Sequence, residues 1–81
     1  MRHELKIQPK YFLAVWEGAK TCELRRDDRG FEVGDILRLR EWNGEDYTGS
    51  MIDVEVTHIL RNCPQYGLAD GYCILSFRQE A

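Results

Sequence analysis

Apolar and polar residues alternate with a period of two at four places in this chain, His3–Ile7, Thr21–Arg26, Ile36–Trp42 and Met51–Leu60, and a fifth, mostly apolar run, Tyr72–Phe77, reads as a final, well-covered strand. Such alternation marks strands with one covered face. Five short strands in 81 residues leave too little chain for a wide open sandwich. A small antiparallel barrel, closed or half-closed, is more economical because closure removes exposed strand edges. One helical pattern comes early. Pro9 suits a first helical position. Phe12, Val15 and Trp16 follow at i, i+3 and i+4 as one buried stripe. Gly18 can take a positive φ and stop the helix. The order β-α-β-β-β-β predicts an α+β, mainly β fold: an antiparallel barrel of five to six strands with an N-terminal helix packed at a barrel opening. An OB-like barrel also has five strands, but its helix comes between the third and fourth.

Strand registers follow from the same pattern. Leu5 and Ile7, Cys22 and Leu24, Leu37 and Leu39, and Ile52, Val54 and Val56 are expected inward. Thr21, Glu23 and Arg25 then face outward, as do Arg38, Arg40 and Trp42. Asn43-Gly44 marks a hairpin, and Arg61–Gly71 reads as a loop with room for one helical turn. Cys22 and Cys73 read as small core residues. His58 falls on a core-facing register, His3 has no partner spacing, and Asp27, Asp28 and Asp35 are expected to cap turns or pair with Arg26 and Arg29.

Length and composition narrow the classes. Residues 1–81 suit a single domain. Three cysteines, Cys22, Cys63 and Cys73, are an odd number without CxxC spacing, which argues against a disulfide framework or zinc site and for a reducing cytoplasm. No spacing implies a metal or a cofactor. The chain lacks the long apolar run of a membrane helix and the apolar core of a signal peptide, so no membrane role is expected. The net charge of −3 argues against a sequence-blind coat on nucleic acid. That average hides a gradient. Residues 1–40 hold nine Lys/Arg against seven Asp/Glu, and residues 41–81 hold two against seven.

The densest polar segment runs from Gly18 to Arg26. Alternation puts Thr21, Glu23 and Arg25 on one strand face, with Lys20 at its mouth just after the helix stop. Arginine forks phosphate, and lysine adds a point charge. A glutamate between them can accept hydrogen bonds from a base or ribose, or simply pair with Arg25. The bland alternative is a solvated ion-pair ladder that contributes little. Arg26, Arg40, Trp42 and Tyr47 are auxiliary candidates: interleaved arginine and aromatic residues can form a stacking platform for single strands. Otherwise Trp42 covers a barrel end and Tyr47 pins the hairpin.

The segments His3–Ile7, Gly18-Ala19-Lys20-Thr21-Cys22-Glu23-Leu24-Arg25, Arg29-Gly30-Phe31, Val33-Gly34-Asp35, Leu39–Trp42, Tyr47-Thr48-Gly49 and Gly71–Phe77 together resemble the ASCH superfamily. The closest likeness is to its small bacterial and phage branch, DUF3850. The resemblance covers nearly the whole chain. It implies a PUA-like β-barrel whose cleft is lined by the G-x-K-T-x-E-x-R strand, and a role in binding RNA or a nucleotide-like ligand. By motif position the binding cleft falls on Gly18, Lys20, Thr21, Glu23 and Arg25, with Gly18 allowing close approach.

Two other function classes remain open. Some small ASCH-type proteins are amidohydrolases acting on acetylated cytidine, with a strand that runs Lys-Thr-x-Thr-x-Arg. Here Glu23 stands in place of the nucleophilic threonine. An enzyme of this chain would therefore lean on Lys20 and Glu23, with Glu23 as general base. The family's occurrence in phages motivates the other class, a module that binds a host protein partner.

Overall fold

The computed structural model describes residues 1–80. Five strands and one α-helix follow in chain order: β1 (Arg2–Ile7), α1 (Pro9–Trp16), β2 (Cys22–Arg26), β3 (Ile36–Trp42), β4 (Tyr47–Leu60) and β5 (Tyr72–Gln79). A single 3-10 turn, Pro64–Tyr66, interrupts the loop before β5. The strands form one sheet in the order β1-β3-β4-β5-β2. It curls into a half-barrel and does not close. β1 and β2 are therefore its two free edges.

The expected antiparallel barrel is corrected in one respect. The half-closed form is one of the two expected, but β1 pairs with β3 in parallel, Leu5 opposite Leu39 and Lys6 opposite Arg40. A parallel pair needs a long crossover. The chain between β1 and β3, carrying α1 and β2, supplies it. The other three pairings are antiparallel.

One apolar cluster fills the concave side, built on Leu37, Leu39, Val54, Val56, Cys73 and Leu75. The helix inserts Phe12 and Val15 into it. Trp16, expected in the same stripe, is 60% exposed. The helix has only eight residues, and Trp16 ends it, stacked on Phe12 at 6.0 Å rather than beneath it. No helix among the described residues is long and apolar enough to cross a membrane.

Two strand registers also differ from expectation. β2 is inverted: Glu23 is buried while Cys22 and Leu24 are exposed. Pairing with β5 sets Glu23 opposite Leu75 and Arg25 opposite Cys73, on the concave side. Cys73 is core as expected; Cys22 is not. In β4 a bulge between Val56 and His58 shifts the face by one residue. Ile59 then packs on the core, and His58 is exposed.

His3 was without an expected partner, yet it is buried against Asp35. Its Nε2 lies 2.8 Å from Asp35 Oδ2. The Met1 amine and the Glu32 amide donate to the same carboxylate at 3.1 and 3.0 Å. Asp35 thus ties the start of β1 to the entry of β3. Asp27 likewise pairs with Arg61, at 2.7 Å, instead of Arg26 or Arg29.

Burial pushes the Asp35 carboxyl up, but hydrogen bonds from His3, Glu32 and the terminal amine outweigh it and hold its pKa below the usual value. A carboxylate lowered on folding stabilises fully above its unfolded value, about 4, and loses that contribution as pH falls through its folded value. Asp53, lowered by its hydrogen bonds to Arg38 against burial, adds to the same acid limb. Asp35→Asn should lower the neutral-pH melting temperature and make the acid-side fall in stability shallower. Thermal melts from about pH 7 down to about pH 2 check this. An acid limb as steep as wild type would refute it.

Candidate functional site

The end of α1 sets the first functional side chain. Ala19 N–H donates to Ala14 O at 2.9 Å and Gly18 N–H to Val15 O at 3.0 Å, the pair of bonds that defines a Schellman cap. Gly18 takes the left-handed position, φ +80°. The Lys20 N–H then donates to the same Ala14 carbonyl at 3.0 Å. Lys20 is thereby anchored by the helix end before β2 begins. Strand alternation does not govern it, and its ammonium swings to the side of Glu23.

Glu23 lies buried between two cations. Lys20 Nζ donates to Oε1 at 2.8 Å. Arg25 donates to Oε2 from Nε at 3.0 Å and from Nη2 at 2.8 Å. The Lys20 ammonium also reaches the Cys22 carbonyl. Arg25 has a second duty: Nη2 bonds the Lys6 carbonyl of β1. Arg29 does the same for Glu4 O, at 2.9 Å. Arg25 of β2 thus bridges the two free edges where no backbone ladder forms, and Arg29 ties the loop after β2 to the β1 edge. Edge carbonyls of β1 that would otherwise need water find donors there.

A cleft of about 570 Å³ opens at this seam. Lys20, Arg25 and Arg26 bring three cations to it, while Lys6 lines it with its ammonium turned away over Trp42; Glu23 is the one carboxylate, and it is already engaged on both oxygens. Tyr11 and Tyr72 add aromatic surface. Arg26 lies over the Tyr72 ring, 5.4 Å to the centroid, and reaches its hydroxyl at 3.3 Å. The arrangement can accept an anion with an attached planar or sugar group.

The sequence-predicted residues divide around this cleft. Lys20, Glu23, Arg25 and Arg26 meet in it. Gly18 does not line it, and a Cβ there would meet nothing within 4 Å. Gly18 acts through its positive φ and not through close approach. Thr21 is exposed outside the cleft, and its carbonyl accepts from Phe77 N–H at 2.9 Å. Arg40, Trp42 and Tyr47 form a separate group on the convex side. Trp42 and Tyr47 meet edge to face at 5.0 Å, and Arg40 lies 3.8 Å from the Tyr47 centroid. Sequence reasoning missed Lys6, Tyr11 and Tyr72. Only knowledge of which strands flank the seam could have found them.

A second depression of about 780 Å³ lies against α1 and the start of β4, with Leu13, Trp16 and Met51 exposed along it. It shares no lining residue with the cationic cleft. Among the described residues no group of three or more His, Cys, Asp or Glu could hold a metal ion.

A profile of the family described as "Domain of unknown function (DUF3850)" matches residues 2–77. The chain is also 42% identical over 57 residues to an uncharacterized 12.9 kDa protein encoded in the GpA 3' region of Escherichia phage P2. That alignment covers 70% of this chain and 52% of the phage protein, so the chain spans about half the length of this relative.

Replacing Glu23 with Gln tests its part as the counter-charge of the cleft. The substitution leaves Lys20 and Arg25 adjacent with no anion between them, and a neighbouring charge at this range contributes strongly near a protein surface. Glu23→Gln should lower the melting temperature and raise affinity for inorganic phosphate by roughly three- to tenfold. Calorimetric melting and phosphate titration measure the two effects. No change in either would refute the assignment.

Proposed function

We propose that this chain, which belongs to the DUF3850 family, is a PUA-like module of the ASCH type that binds RNA or a nucleotide-like ligand in the seam between β1 and β2. The observation that carries this reading is a cleft with three cations, Lys20, Arg25 and Arg26, whose only carboxylate is already paired. Its size lies within the range of small-molecule sites. Phosphate fits the fork of an arginine and the point charge of Lys20. A base can lie on an exposed tyrosine ring; stacking of this kind contributes about 1–3 kcal/mol per base. Glu23 keeps Lys20 and Arg25 fixed in place and leaves the cleft with a positive balance.

No observation favours hydrolysis. A general base needs a free acceptor for the proton it takes, whereas both Glu23 oxygens are held by Lys20 and Arg25, and Thr21 lies outside the cleft.

Lys20→Ala and Arg26→Ala test the reading better than Arg25→Ala, because Arg25 also bridges the sheet edges. Each should weaken binding of a fluorescent oligoribonucleotide or nucleotide by about tenfold, an effect of ~1.4 kcal/mol. The melting temperature of Arg26→Ala should stay near wild type, whereas Lys20→Ala leaves Glu23 paired by Arg25 alone and should melt lower. Fluorescence anisotropy with parallel thermal melts gives the answer. Wild-type affinity in both variants would overturn the reading.

A further inference from the structure

The cationic lining does not end at the cleft. Lys6 belongs to it, yet the Lys6 ammonium lies over the Trp42 ring on the convex side, 4.0 Å from the centroid. Lys6 is also the register partner of Arg40 across the parallel β1–β3 pair, one strand spacing away. Arg40 in turn lies 3.8 Å from the Tyr47 centroid. Cations and rings therefore continue in sequence from the seam, over the β1 edge, onto β3 and the start of β4.

The charges on this path differ from several other arginines, which are committed to carboxylates. Arg38 is committed to Asp53 at 2.9 and 3.0 Å, Arg61 to Asp27, and Arg78 to Glu55. Arg40 makes only a long contact to Glu4, at 3.4 Å. Lys6 has no carboxylate within ion-pairing distance among the described residues. Aromatic faces hold both cations in place without neutralising them, because a ring quadrupole carries no net charge. Cations held in place but left with their full charge suit a phosphodiester. Two rings beside them suit unstacked bases.

We infer that the ligand is a single-stranded oligonucleotide that extends beyond the cleft, with Lys6 and Arg40 on successive phosphates and Trp42 and Tyr47 beside its bases. The inference rests on the cleft reading and adds a second subsite to it. A mononucleotide would use the cleft alone. A single strand would use both, and its affinity would rise with length.

Uridine monophosphate and fluorescent oligouridylates from dinucleotide to octanucleotide provide the test, titrated at several salt concentrations. The octanucleotide should bind at least about tenfold tighter than the mononucleotide. Arg40→Gln should weaken the octanucleotide and reduce its salt slope by about 0.7, the value for one phosphate contact on a single strand. It should leave the mononucleotide unchanged. Trp42→Leu should weaken the octanucleotide about tenfold, and the Arg40→Gln result stands if that variant fails to fold. Lys20→Ala should weaken every length. Equal affinity at all lengths, or an unchanged octanucleotide salt slope in Arg40→Gln, would overturn the second subsite and leave the cleft standing. Binding of no length at all would overturn both. Displacement of the octanucleotide by poly-glutamate as readily as by unlabelled RNA would also overturn it, in favour of an acidic protein partner.

Discussion

The unclosed seam between β1 and β2 governs the rest of this molecule. Five strands curl far enough to bring the two edges near each other, but the edges do not pair. The unpaired β1 carbonyls instead accept from Arg25 and Arg29. Side chains take over a task that a closed barrel gives to its backbone ladder. Because arginines span the gap, the seam is positively charged. Because it is a gap, it is a cleft. Stability and the candidate site share the same residues, and Arg25 serves in both.

The burial of Glu23 follows from this arrangement. A carboxylate inside a curled sheet is costly unless paired and hydrogen-bonded. Lys20 and Arg25 provide the pairing from opposite sides. Each would face a like charge if Glu23 were removed. The Schellman cap of α1 contributes by anchoring Lys20 within reach. At the other end of β1, the His3–Asp35 pair holds the strand beside β3. Together these two ties position the β1 wall of the cleft, and with it Lys6, where the seam meets the convex face.

Much of this could be read from residue order. The five strands, the short early helix, the Asn43-Gly44 turn and the density of charge around Lys20, Glu23 and Arg25 all follow from alternation, turn chemistry and charge clustering. Asn43 Oδ1 does accept from the Glu45 and Asp46 amides at 2.9 Å, as a hairpin loop led by Asn requires. The failures have one origin. Alternation shows that two faces differ, but it does not show which one a curled sheet turns inward. In β2 alternation predicts the apolar residues inward; at the seam the concave face carries the polar set, and Leu24 is exposed. The β4 bulge reversed the face at His58 in the same way. Trp16 continued a helical stripe past the point where the sheet still covers it.

Residue order was sufficient for the elements, the family likeness and the motif that bears charge, since these depend on local propensity and on neighbours in the chain. It was silent on the pairings between distant segments: His3 with Asp35, Asp27 with Arg61, Arg25 with the Lys6 carbonyl. Those contacts join residues 19 to 34 positions apart. They exist only once the parallel β1–β3 pair and the curl of the sheet have brought the two edges together. The motif was visible as a polar strand. Folding made it one wall of a cleft by supplying the other wall, Lys6 and Tyr11, from a strand and a helix that alternation alone could not set beside it.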